Sequence, residues 1–207
     1  MSSWRLYNRV GSGGMVVEAA LVMAQIPFEL EELPSKPGTP LTDEFRTVNP
    51  WAQLPTLVSP DGETLTECAA ILIHLAAVAP ERRLGPAPGT AAHGQLARWL
   101  VFTSVNVYEG VLRRGYSYRF TDDPNGHEAV KSAAIRRLRE AFAVLEQAVE
   151  SPYFLGESMT VLDVYVAMLW LWAGAERESH PRLEALTNRV RRDAVVGPVW
   201  RKHFGSR

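Results

Sequence analysis

Pro55 stands between Leu54 and the run Thr56-Leu57-Val58, at the entrance to a stretch of strand-forming residues. Proline has no N–H for a ladder, so it is excluded from the middle of a central strand and allowed where a strand begins. At such an entrance it leaves the backbone groups of Leu54 free to pair with something that is not protein. Glu67-Cys68 then precede an apolar helical run, Ala70, Ile71, Leu72 and Leu75. The first-turn N–H groups of that helix are unpaired and favour an anion. An extended, peptide-like ligand with a free carboxylate would satisfy both places.

The surroundings give these two places an order. Residues 4–7 read as a first strand, Gly11-Ser12-Gly13-Gly14 as a loop, and residues 15–25, apolar all round, as a helix packed on a sheet. Residues 27–33 alternate apolar and acidic side chains in part, as a second strand does. A β-α-β unit of this kind implies a parallel pair with a right-handed crossover. Residues 34–48, with Pro34, Pro37, Gly38 and Pro40, read as an irregular link with room for a short helix at 41–46. Asp61-Gly62 between two strand-like runs signals a hairpin. Residues 68–77 make the next helix.

Pro80, Gly85, Pro86 and Pro88 mark a boundary, giving domains at 1–79 and 89–207. Beyond it the pattern is helical. Leu96, Trp99, Leu100 and Val107 share the stripe of one long helix. Val130, Ala134, Ile135, Leu138, Phe142, Leu145 and Val149 mark a second. Thr160-Val161-Leu162-Asp163 opens a third with a capping box, Met159 and Val164 standing where a hydrophobic staple would.

With a formal net charge of −1 there is no electrostatic argument for nucleic acid or an anionic membrane. Residues 1–10 lack the apolar core of a secretory signal, and the longest apolar stretch, 164–175, is too short to span a bilayer. One cysteine rules out an internal disulfide framework and suits the cytoplasm. The five histidines form no ligand spacing, so no metal is expected.

The Gly11–Gly14 loop is the place for chemistry. As a dinucleotide fingerprint it fails, because Val16 stands where the third glycine is needed. As a thioredoxin-type redox centre it fails for want of a cysteine.

The run Asn49-Pro50-Trp51-Ala52-Gln53-Leu54-Pro55-Thr56-Leu57, Glu67-Cys68, and Tyr153-Phe154-Leu155-Gly156-Glu157 before the capping box together resemble the glutathione transferase family. The resemblance covers nearly the whole chain. It implies a thioredoxin-like α/β N-terminal domain with a mixed four-stranded sheet, followed by an all-α C-terminal bundle. It also implies a cytoplasmic homodimer acting in detoxification, with glutathione as co-substrate and a small hydrophobic electrophile as its partner.

Carried over residue by residue, the resemblance makes Ser12 the group that holds the thiolate, since Leu6-Tyr7 followed by Ser12 matches the theta and delta classes. Tyr7 is the competing donor. Leu54 would pair with the cysteinyl backbone beside a cis Pro55. Gln53 would reach the ligand's backbone or carboxylates, and Glu67 the γ-glutamyl ammonium. Cys68 replaces the family's usual serine at the γ-glutamyl carboxylate, which implies weaker binding; it reads as a small buried polar substitute, although its helix-start position could also lower its pKa and open a redox role. Lys36 is a candidate for the glycyl carboxylate, and Asn106, Tyr108, Tyr116 and Tyr118 for the second substrate. Tyr108-Glu109 stand where beta-class members have histidine and lysine. A glutathione-dependent isomerase and a non-catalytic binder of the same fold remain open beside the transferase.

Overall fold

The computed structural model describes residues 3–34, 42–82, 84–174 and 180–206. Strand β1 (Trp4–Asn8) is followed by helix α1 (Met15–Ala24) and strand β2 (Phe28–Glu32). Helix α2 (Asp43–Val48), strands β3 (Thr56–Val58) and β4 (Thr64–Leu65), and helix α3 (Cys68–Val78) complete the pattern. The sheet runs β2-β1-β3-β4, with β1 and β2 parallel and the other pairs antiparallel. This is the thioredoxin-like mixed four-stranded sheet that the resemblance implies.

Local chemistry explains the elements. Helix α1 is apolar all round because it is covered all round: Met15 through Leu21 are buried. Thr42 caps α2 by accepting the Phe45 N–H at 3.2 Å, and that helix falls two residues later than the sequence suggests. The rest of the link, residues 35–41, lies outside the described residues, and with it the expectation for Lys36. At the hairpin, Gly62 adopts φ +92°, open to glycine without strain. The Ser59 hydroxyl donates to Asp61 and accepts the Glu63 N–H.

The helical part contains α4 (Ala91–Phe102), α5 (Glu109–Gly115), α6 (His127–Ala148), α7 (Val161–Ala173) and α8 (Pro181–Arg192). The single long helix expected around Leu96–Val107 is helical from 91 to 115, with a wider turn at Thr103–Tyr108 where Glu109 N–H reaches back to Ser104 C=O. Along α6, Ala134, Leu138, Phe142 and Leu145 are buried at three- and four-residue spacing. At the start of α7 the buried Asp163 accepts the N–H groups of Phe154 and Thr160, each at 2.7 Å, and the Thr160 hydroxyl at 2.9 Å. Burial pushes its carboxyl above the usual range even against those donors.

The last helix, α9 (Val196–Phe204), packs on α1. The chain thus has one compact unit of residues 1–93 with 191–207, and a second of 94–190. Among the described residues no helix is long and apolar enough to cross a membrane.

Candidate active site

Three segments leave the sheet at one end. The register Tyr7↔Thr56 sets the C-terminal end of β1 beside the start of β3, and Leu57↔Leu65 sets that start beside the end of β4. The Gly11–Gly14 loop, the Leu54-Pro55 bond and the Glu67-Cys68 helix start therefore emerge together. In open α/β sheets, ligands bind outside the carboxyl ends of parallel strands, which is where β1 ends here.

The Leu54–Pro55 bond is cis, as the resemblance implied. Leu54 is half-buried and Pro55 buried. Among the described residues, neither the N–H nor the C=O of Leu54 has a hydrogen-bond partner. The loop before it is tied down: the buried Asn49 donates to the Gln53 C=O and to the Thr56 hydroxyl, both at 2.9 Å, and accepts the Trp51 N–H at 3.0 Å. The Thr56 hydroxyl also donates to the Gln53 C=O at 3.0 Å. Gln53 itself is exposed.

Glu67 is exposed at the residue before α3, with φ +64° and ψ +113°. That backbone conformation is rare for a residue with a Cβ and costs on the order of 1–3 kcal/mol, a cost that clusters at functional positions. The next residue, Cys68, is buried and donates its S–H to the Gly13 C=O at 3.5 Å. This contact brings the starts of α1 and α3 together. Burial, with the Glu67 carboxylate beside it, pushes the Cys68 thiol up to about 12. The helix-start lowering considered from the sequence is therefore overturned: desolvation of a thiolate outweighs the first-turn N–H groups.

Ser12 lies half-buried on the loop. Its hydroxyl donates to Asn8 Oδ1 at 2.8 Å and accepts the Gly14 N–H at 3.2 Å. Leu6 and Asn8 are buried, while Tyr7, on the other face of β1, packs against Phe45 with ring centres 5.3 Å apart. The structure thus sets Ser12, Leu54, Pro55, Glu67 and Cys68 around one sheet end, where Tyr7, paired in register with Thr56, packs on Phe45. Asn106, Tyr108, Tyr116 and Tyr118 lie in the unit of residues 94–190. There the Asn106 amide is committed to the Phe102 C=O at 3.1 Å, and Tyr108 packs on Tyr165 and Trp172.

A second layer was not anticipated. Glu18, buried in α1, accepts Lys202 Nζ at 2.8 Å, His203 Nε2 at 2.9 Å and Asn8 Nδ2 at 3.3 Å. Burial pushes its carboxyl up, but the hydrogen bonds from His203 and Lys202 outweigh this and hold it below the usual carboxylate range. His203 Nδ1 accepts the Gly11 N–H at 3.1 Å, so Nε2 carries the proton that goes to Glu18. One signal was present in the sequence: a single acid inside an otherwise apolar helix calls for partners. Among the described residues no cluster of three His, Cys, Asp or Glu side chains could hold a metal ion.

Known proteins share this fold. Residues 15–78 match the family model described as glutathione S-transferase, N-terminal domain. The uncharacterized GST-like protein YncG of Escherichia coli K12 is 29% identical over 170 residues, 81% of each chain. Glutathione S-transferase GstA of Escherichia coli O157:H7 is 26% identical over 153 residues, 73% of each. Among solved structures, the ternary complex of BphK, a bacterial GST, superposes with a TM-score of 0.82 at 26% identity, covering 95% of this chain and 98% of that one. By its fold and these matches the chain is similar to glutathione transferases, whose N-terminal domain matches residues 15–78.

Proposed function

We propose that the protein binds glutathione along the free backbone of Leu54 and joins its sulfur to small hydrophobic electrophiles, with Ser12 holding the thiolate. The observation that carries this reading is the unpaired N–H and C=O of Leu54, set at the same sheet end as the Ser12 loop and the start of α3. The cysteinyl backbone would pair with Leu54. The γ-glutamyl ammonium would meet Glu67, and its carboxylate the first-turn N–H groups of α3, with Gln53 at the rim. Cys68, buried and protonated, supplies no strong donor there, so the backbone carries that contact. The homodimer implied by the family belongs to the same reading.

The energetics are sufficient. Lowering a thiol pKa from about 8.5 by ~2 units takes ~2.7 kcal/mol. A hydrogen bond to a charged group supplies roughly 1.5–3 kcal/mol, and a helix start about 0.3–1 kcal/mol. The thiol proton leaves to solvent, the thiolate attacks the electrophilic carbon, and the leaving group departs with the bonding pair. Alignment of the two reactants supplies the rest.

One observation favours a second reading, a non-catalytic glutathione binder: the Ser12 proton is already engaged by Asn8. Turnover of a chromogenic aryl halide with glutathione, in wild type and Ser12→Ala, separates the two. The transferase reading expects measurable turnover that falls at least tenfold in the variant. Binding of glutathione without turnover supports the binder, and undiminished turnover in the variant removes Ser12 from its role.

A further inference from the structure

Glu18 is ionised and can only accept, so the Asn8 side chain must turn its NH₂ toward Glu18 and its carbonyl oxygen toward the loop. The Arg9 N–H confirms that orientation by donating to the same oxygen at 2.7 Å. An oxygen fixed in this way cannot donate, so the Ser12 hydroxyl must give its only proton to Asn8. The Ser12 oxygen takes the Gly14 N–H, and its remaining lone pair is what the loop offers outward. Gly14 is part of the arrangement: a Cβ there would lie 1.9 Å from Asn8 Oδ1, so only glycine admits the asparagine. Asn8 is 2% exposed and Glu18 6%, so both are shielded from bulk solvent.

We propose that Asn8 is a positioning residue that competes with the bound sulfur for the Ser12 proton and thereby sets the acidity of the thiol. This inference rests on the reading of Ser12 as the thiolate's donor. A thiolate is a charged acceptor and outbids a neutral amide oxygen, so the hydroxyl turns from Asn8 to sulfur as the thiol ionises. The turn sacrifices the Ser12–Asn8 bond, while Asn8 keeps the Arg9 N–H. The bound thiol therefore stays less acidic than an unheld serine would make it. Glu18 from α1, Lys202 and His203 from α9, Glu67 and Cys68 at the start of α3, and Arg9 at the loop's entrance are the charged or titratable groups around the loop, and they are common to all variants below.

The test is the pKa of the thiol of bound glutathione, read from thiolate ultraviolet absorbance as pH is raised, in wild type, Asn8→Ala, Ser12→Ala and the double variant. Asn8→Ala is expected to lower that pKa by ~0.5–1 unit, the share of one neutral hydrogen bond. Ser12→Ala is expected to raise it. In the Ser12→Ala background, removal of Asn8 should change nothing, which a loosened loop would not reproduce. If alanine at position 8 prevents folding, Asn8→Ser removes the same long-reaching acceptor and carries the same expected sign. A thiol pKa unchanged or raised without Asn8, with Ser12→Ala still raising it, overturns the competition and leaves the Ser12 reading standing. A thiol pKa indifferent to Ser12→Ala overturns both.

Discussion

The ring N–H of His203 donates to the buried carboxylate of Glu18 at 2.9 Å, joining residues 185 positions apart. The other ring nitrogen of His203 accepts the Gly11 N–H, so the last helix holds the loop that carries Ser12. Removing the imidazole takes the acceptor from the Gly11 N–H and leaves Glu18 Oε2 only the Asn8 amide at 3.3 Å. A hydrogen bond to a charged group is worth roughly 1.5–3 kcal/mol, so His203→Ala should unfold at correspondingly lower urea. Its KM for glutathione should rise with it, whereas a change on the exposed side of α9 such as Arg201→Ala should alter neither.

Glu18 predicts a pH dependence. Its folded pKa lies below the ordinary carboxylate value, so its contribution is present above the unfolded pKa of about 4.3 and is lost as pH falls through the lower folded value. Urea unfolding of wild type and Glu18→Gln between pH 7 and pH 3 checks the sign. The stability gap between them should be full near neutrality and close in acid.

Glycines 14 and 94 should respond oppositely to alanine. At Gly14 the added Cβ meets Asn8 at 1.9 Å, whereas at Gly94, exposed in α4, nothing lies within 4 Å. Gly14→Ala should cost about 1–3 kcal/mol through overpacking, and more if the Asn8 bonds break. Gly94→Ala should be neutral or stabilise by up to ~1 kcal/mol. Thermal unfolding of the two variants decides it.

Cys68 should behave as an inert thiol. It is buried, with its pKa pushed up to about 12. A thiol-reactive chromogen at pH 7.5 should label no cysteine in the folded protein and one per chain after unfolding in urea. Cys68→Ser, which puts a hydroxyl donor at the start of α3, should lower the KM for glutathione.

At the start of α7, Asp163→Ala removes the acceptor for two backbone N–H groups and one hydroxyl. The expected loss is about 3 kcal/mol, combining a lost cap with orphaned buried donors. Differential scanning calorimetry should show a lower Tm with glutathione binding retained at low temperature.

Much of the fold was legible because the devices that build it are local. Asp61-Gly62 turns a hairpin, Pro55 can only open a strand, and the 15–25 run can only be a helix covered on all sides. The site was legible where it is made of backbone, at Leu54 and at the start of α3. The part that escaped reading is long-range. Nothing near His203 or Lys202 in the sequence says that they meet Glu18, and α9 carries no local sign that it packs on α1. The acidity of Cys68 was not legible for a related reason. Its helix-start position is visible in the sequence, but the burial that dominates its acidity is a property of packing. The widened turn at Thr103–Tyr108 likewise leaves no mark in a stripe of apolar residues.

The most direct measurement is a crystal structure of the protein grown with glutathione. The account predicts the cysteinyl N–H and C=O paired with Leu54, the γ-glutamyl end between Glu67 and the first turn of α3, and the sulfur within hydrogen-bond reach of Ser12 Oγ. Glutathione bound elsewhere with the Leu54 groups still free, or its sulfur directed away from the Gly11–Gly14 loop, would contradict it.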